Sequence, residues 1–289
     1  MAAPPTLAIC AILRDERRYL LEWIAYHQLL GVGRFLMFDN QSADGSEIVL
    51  AQLKRLGLVD TARIEGRGPH VQPAAYLAGA KFFAGKVDFV AFIDLDEFLV
   101  AAPDLPSQLA HIAADVGAIG VCQTVFGSNG HMRYAPDLVI SRFTARAQDA
   151  RDEHRWVKTI ARPQWIGAFT SSHSVTLTRG RQAMTDGGPF VAAGHPGEAS
   201  RICHARIRLH HYMLKSREEY GWKQARGDLS DAGGQQRFTD AYFDNRDPGS
   251  NTVEDQAAAA RAEAVGRRMC ALLAQFSPQA RAALADTAL

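Results

Sequence analysis

FVAFIDLDEF, running from Phe89 to Phe98, is the stretch on which the reading of this chain turns. Phe89 to Ile93 is uninterrupted apolar sequence, the pattern of a strand buried on both faces of a sheet. Two carboxylates, Asp94 and Asp96, follow at once, spaced i and i+2. In an open α/β sheet, ligands bind beyond the carboxyl ends of the strands. Strand alternation directs Asp94 and Asp96 to the same side, where a divalent ion can bridge them to a diphosphate. A solvated turn would explain the pair equally well, so the neighbouring sequence has to decide.

Towards the N-terminus the same motif recurs. Leu7 to Leu13 is a second apolar run, and it ends in Arg14-Asp15-Glu16. Leu20, Trp23, Ile24, His27 and Leu30 then fall at helical spacing, closed by Gly31 and Gly33. Arg34 to Phe38 reads as a strand ending in Asp39-Asn40, and a helix from about Ser46 to Leu56 stops at Gly57. Leu58 to Ile64 is a third strand, Ala74 to Phe83 a helix, and Phe89 to Ile93 the fourth strand. Strand alternating with helix four times predicts an α/β fold with a mostly parallel central sheet flanked by helices.

Towards the C-terminus the pattern is less regular. Strands are predicted at 118–126, 156–161, 173–178 and 207–212, and helices near 215–226 and 253–276. Gly180 to Ala199 holds five glycines and two prolines and reads as a mobile loop. One domain over 1–289 fits best, with a nucleotide-binding half (1–116), an acceptor and metal half (117–228) and a C-terminal helical extension (229–289).

Composition narrows the function classes. Of 289 residues, 47% are apolar and 22% charged, and the formal net charge is +1. No global field points to nucleic acid, so an anionic ligand needs a local cluster. Cys10, Cys122, Cys203 and Cys270 form no paired spacing and read as buried thiols. Neither a leader nor a span of about 18 apolar residues is seen, and the expected location is cytoplasmic.

If the three acidic strand ends share one sheet edge, they outline a nucleotide site. Asp39 is placed to accept the imide hydrogen of a uracil or to pair with another base, and Asp15 or Glu16 to reach a ribose hydroxyl. Taken singly, Asp15 and Ser46 read as helix caps. Farther on, His210-His211 leads into a basic stretch with Lys215, Lys223 and Arg226. An imidazole can complete a metal site begun by aspartates, and the cations can neutralise a leaving diphosphate.

These blocks, in order, resemble the family 2-like and family 92-like glycosyltransferases of the GT-A fold. The resemblance rests on Arg14-Asp15-Glu16, on Phe38 through Ser46, and on Asp94-Leu95-Asp96-Glu97-Phe98. It continues through Phe126-Gly127-Ser128, Arg142-Phe143, Lys158 and His211-Tyr212 to Arg226-Gly227, covering roughly residues 7–228. It implies a nucleotide-diphospho-sugar donor, with a UDP-sugar favoured, a Mn2+ or Mg2+ ion, and a saccharide or lipid-linked acceptor. It also implies base contact by Asp39, ribose or sugar contact by Asp94, and metal and diphosphate contact by Asp96 and His211. Arg14, Asp15, Glu16, Asn40 and Lys215 complete the expected donor site, with Asp94 also a candidate metal ligand. Two departures stand out. Arg14-Asp15 replaces the Lys-Asn common in relatives, and His210 stands where many carry asparagine, leaving His210 or His211 open as the ligand.

Relatives of this kind mostly invert the anomeric centre, which requires a base. Asp152, Glu153, Asp186 and Glu198 lie in the right region, and spacing favours none of them. A nucleotidyltransferase ranks lower, since Leu13 to Arg18 has no glycine-rich phosphate loop. A catalytically silent nucleotide-sugar-binding subunit is the alternative from another class. The alanine- and arginine-rich segment from Val253 to Phe276 is expected to dock on the core or a second subunit in preference to a membrane face.

Overall fold

The computed structural model describes residues 3–229 and 237–285. Its first half follows the predicted alternation: β1 (Leu7–Leu13), α1 (Arg17–Leu29), β2 (Arg34–Asp39), α2 (Ser46–Arg55), β3 (Val59–Arg63), α3 (Val71–Phe83) and β4 (Phe89–Phe92). Five further strands complete a nine-stranded sheet: β5 (Glu97–Ala101), β6 (Val116–Val125), β7 (Val157–Ala161), β8 (Arg181–Met184) and β9 (Ile207–His211). The order is β3-β2-β1-β4-β7-β6-β9-β5, with β8 added beside β6. β1 pairs in parallel with both β2 and β4, and β2 with β3. β7 runs antiparallel between β4 and β6, and β5 antiparallel to β9. This is the mostly parallel α/β sheet that the sequence pattern predicts.

Alternation along each strand builds two cores, one on each face. Leu7, Ile9, Ala11 and Leu13 of β1 pack with α1 and α2, while Ala8, Cys10 and Ile12 pack with α3. Every residue of β1 is buried, which is why it reads as a continuous apolar run. Gly79 lets α3 lie close on the sheet, for a Cβ there would come within 2.3 Å of Cys10 Sγ. His27, buried on α1, donates from Nδ1 to the Trp23 carbonyl and accepts at Nε2 from the Leu99 amide. Its position at helical spacing thus reflects a fully bonded structural residue.

Several expectations are corrected. β4 ends at Phe92, so Asp94 and Asp96 stand on a turn closed by the Glu97 amide bonding the Asp94 carbonyl at 3.1 Å. The segment 180–199 is no bare loop: it carries β8 and the small antiparallel pair Ala192–Ala193 and His195–Ala199. The predicted helix at 215–226 is α4 (Arg217–Arg226), which leaves Lys215 outside it. Ser216 caps α4 in a capping box with Glu219, both members of which are buried. Nor does Asp15 cap α1. The Arg17 amide bonds Asp44 instead, and the Glu16 amide bonds the Ser46 hydroxyl. Cys270 is exposed, unlike the other three cysteines.

The expected long helix at 253–276 is shorter, a two-residue strand and a 3-10 turn followed by α6 (Ala262–Leu273). Val265 and Leu272 of α6 join the core beneath α1, and Arg268 bonds Gln28. Its apolar face is therefore occupied within this chain. Between α4 and α6 lies α5 (Asp240–Arg246), which turns towards the sheet edge. Among the described residues no helix is long and apolar enough to cross a membrane.

Candidate active site

Parallel pairing of β1, β2 and β4 brings their carboxyl ends to one edge, and a cleft of about 470 Å³ opens there. Leu13, Arg14, Glu16 and Asn40 line one end, Asp94 to Glu97 the floor, and Trp156, His173 and His195 a far wall. Lys223 and Arg226 of α4, with Tyr242 and Arg246 of α5, line the cleft as well. The segment expected to be only a helical extension thus contributes to the cleft.

Asp94 and Asp96 have different surroundings. One Asp94 oxygen accepts from Gln72 at 2.5 Å and Tyr76 at 3.0 Å, and the other from Lys158 at 2.7 Å. Lys158 is 2% exposed, the one charged residue of a fully buried strand. Burial opposes ionisation of Asp94, but Lys158 outweighs it and holds the carboxyl below its ordinary range. The same ammonium lies 3.6 Å from Glu97. Glu97 is nevertheless pushed up to about 7, first by its burial and also by the charge of Asp94.

Asp96 points the other way. Its Oδ2 accepts from Lys223 at 2.7 Å, while Oδ1 faces His211 Nε2 at 3.5 Å. Burial again opposes the charge, and Lys223 and His211 together hold the carboxyl well below its ordinary value. Gln123 settles how His211 is presented. Its Nε2 donates to the Glu153 carbonyl at 2.7 Å, so its Oε1 faces His211 and accepts from Nδ1 at 2.8 Å. A histidine that donates from Nδ1 turns its Nε2 towards Asp96. The gap between the two can then hold only a proton, as in an imidazolium, or a cation. A ring nitrogen oriented by a second partner is what metal-ligating histidines show. Two donors about 3.0–3.5 Å apart suit neighbouring positions on one ion with bonds of roughly 2.1 Å.

The donor set therefore fits a divalent ion at Asp96 and His211. Among the described residues no third His, Cys, Asp or Glu joins them. That is the ligand count of sites in which Mg2+-like ions draw their remaining ligands from substrate phosphates and water. His210 is settled as the inward neighbour. It is fully buried, rests 4.5 Å from the Phe126 ring and lies 3.8 Å from Asp255.

The remaining predicted residues divide. Arg14, Glu16 and Asn40 line the cleft. Arg226 ties this end to α4, bonding the Arg14 carbonyl at 2.8 Å and pairing with Glu16. Asn40 gives its amide hydrogens to the carbonyls of Ile64 and Gly66, at 3.2 and 3.0 Å, and its oxygen is buried without a partner. Asp39 and Asp15 stand on the predicted edge but do not line this cleft. Asp39 Oδ1 accepts from the Ser42 amide, and Asp15 Oδ1 from the Ala43 amide. Both shape the polar loop 40–46. Lys215 is buried over the Tyr19 ring, 4.1 Å from its centre, beside a neighbouring hollow of about 440 Å³ that it lines with Asp15, Glu16 and Arg226. Burial lowers its pKa, although Glu16 and Asp96 oppose that.

Of the four candidate bases, only Glu153 lines the cleft. Its carboxylate is held by Arg151 and Arg246, which keep its pKa below the ordinary value despite burial. Asp152 is 87% exposed, Asp186 pairs with Arg201, and Glu198 with Arg155. Trp156, His173, His195 and Gln123 were not anticipated. Lys158, in the buried strand beside this wall, was the one signal nearby that sequence carried.

The family model "Glycosyltransferase family 92" matches residues 6–186. A family 92 protein of Oryza sativa subsp. japonica is 30% identical over 196 residues, 66% of this chain and 33% of the relative. One from Ricinus communis is 34% identical over 170 residues, 57% of this chain and 30% of its own. The chain thus spans about one third of the length of these relatives. Similar solved structures include glucosyl-3-phosphoglycerate synthase from Mycobacterium tuberculosis, in complex with phosphoglyceric acid. It has a TM-score of 0.36 and 14% identity, covering 66% of this chain and 73% of that one. S. aureus TarS 1-349 is another, with a TM-score of 0.35 and 14% identity over 55% of this chain and 47% of its own.

Proposed function

The chain belongs to glycosyltransferase family 92, and from that premise we propose that it moves a sugar from a nucleotide-diphosphate donor to an acceptor hydroxyl with the help of Mn2+ or Mg2+. One observation carries this reading: Asp96 and His211 face each other at 3.5 Å with Lys223 on the same carboxylate. That is a place for a cation and a diphosphate together.

In this reading the nucleoside lies at the end lined by Leu13, Arg14, Glu16 and Asn40, over the loop shaped by Asp15 and Asp39. A UDP-sugar is favoured. Asp96 and His211 hold the ion, which when bound supplies positive charge to the departing diphosphate. Lys223 and Arg226 lie on the same side of the cleft and add two fixed cations, with Lys215 behind them. Asp94, anchored by Lys158, is ionised and immobile, and it accepts hydrogen bonds from sugar hydroxyls. In-line attack by the acceptor on the face opposite the diphosphate inverts the anomeric centre.

Thermal unfolding in the presence of UDP-, GDP- and dTDP-sugars, each with and without Mn2+, tests the proposal. Stabilisation by one nucleotide class that depends on Mn2+ is the expected result. No stabilisation by any of them would overturn the reading.

A further inference from the structure

The wall that carries Trp156 is built differently from the rest of the cleft. Trp156 lines it between two imidazoles, with ring centres 5.2 Å from His173 and 4.8 Å from His195. An indole in a polar cleft offers the flat apolar face on which the C–H side of a sugar ring stacks. Polar atoms beside it bind the hydroxyls at the ring's edge.

His173 has a defined orientation. Its Nδ1 donates to the Val157 carbonyl at 3.0 Å, which fixes the tautomer and leaves the Nε2 lone pair free. Among the described residues nothing bonds to Nε2. Its Cβ abuts Gly197, where an added methyl would come within 2.3 Å, so the chain packs closely behind it. Asp94, Lys158 and His211 are all near enough to act on it electrostatically. The four candidate carboxylates are, by contrast, exposed or paired with arginine.

From this we infer that Trp156 and His195 form the acceptor-saccharide subsite and that His173 Nε2 takes the proton of the attacking hydroxyl. The inference rests on the glycosyl-transfer reading. In the step, the acceptor oxygen forms a bond to the anomeric carbon as its proton passes to His173. The bond from that carbon to the diphosphate oxygen breaks, and its electron pair leaves with the diphosphate. The imidazolium then returns its proton to water.

The groups facing His173 set its behaviour. Burial, and then Lys158, push its imidazole down to about 3, with the Val157 bond and Asp94 opposing. The ring is therefore neutral but only weakly basic in the free protein. A bound donor brings negative charge near it and raises its basicity.

Three variants separate the roles. His173→Asn keeps a donor for the Val157 carbonyl but has no basic nitrogen, His173→Ala removes both, and Trp156→Ala removes the platform. UDP with Mn2+ probes the donor site, and a panel of methyl glycosides probes the acceptor site by saturation-transfer NMR. Glycoside-dependent UDP release from UDP-sugars reports turnover. Both His173 variants should lose roughly 100-fold or more in turnover while binding UDP within about threefold of the parent. Trp156→Ala should lose the glycoside saturation signal with UDP binding intact. Wild-type turnover in His173→Asn would overturn the base assignment. Undiminished glycoside signal in Trp156→Ala would overturn the subsite. Failure of the unaltered protein to bind UDP or any other nucleotide would instead overturn the transfer reading beneath both.

Discussion

The two halves of the chain bring opposite charge to one cleft. Residues up to 116 supply most of its acid, with Asp94, Asp96, Glu97 and Glu16 at the ends of strands and on the turn after β4. Later residues supply most of its cations: Lys223 and Arg226 from α4, Arg237, and Arg246 from α5, while Lys158 of β7 holds Asp94 without lining the cleft itself. The acids sit where a regular βα repeat ends. The cations arrive by tertiary packing of elements that share no repeat. The first half therefore defines a location, and the second defines what that location binds.

Lys158 and Lys223 make the contrast measurable, since each bonds one aspartate at 2.7 Å. Lys158 is 2% exposed in its side chain and Lys223 12%. Lys158→Met leaves Glu97, 1% exposed, and Asp94 without their cation. The loss of folding stability should be about 3 kcal/mol or more, because the partner charge stays buried. Urea unfolding checks this, and a loss below 1 kcal/mol would show that Lys158 is no structural anchor.

Acid should act on both halves alike. His27 in the first and His154 in the second are buried and neutral, with values lowered to about 3 and about 4, chiefly by burial. Each accepts a backbone amide hydrogen at Nε2, from Leu99 and Val125. The unfolded chain binds these protons near pH 6.5 and the folded one only far below it. The stability they contribute is thus complete above about 6.5 and lost as pH falls towards 4, by about 1.4 kcal/mol per pH unit for each histidine. Unfolding free energies at pH 7, 6 and 5 give the slope. No decline would mean the folded rings accept protons as readily as free histidine.

Lys223→Met gives the smallest stability change and isolates function. The cost should be smaller than for Lys158→Met, since Asp96 lines the open cleft and keeps His211 as a partner. Nucleotide affinity measured by calorimetry should nevertheless fall about tenfold, as expected when one charge-assisted contact is lost. Unchanged affinity would place the diphosphate elsewhere.

What sequence revealed follows the same division. Apolar runs ending in carboxylates at Leu13, Phe38 and Ile93 were enough to predict the parallel edge and the place of Asp94 and Asp96. Turn chemistry was less legible: Asp15 reads as a cap, yet Asp44 caps α1 from another loop. Glycines and prolines at 180–199 hid a folded hairpin wall, because local composition cannot show which strand lies alongside. Trp156 and His173 had no signature of their own, and only the fold brings them into the cleft.

The central claim is that Asp96 and His211 hold a divalent ion that a nucleoside diphosphate completes. Calorimetric titration of UDP into the protein and into Asp96→Ala, each with and without Mn2+, tests it most directly. Tight binding only in the unaltered protein with Mn2+ is the predicted result. UDP affinity that is indifferent to Mn2+, or that survives in Asp96→Ala, would contradict it.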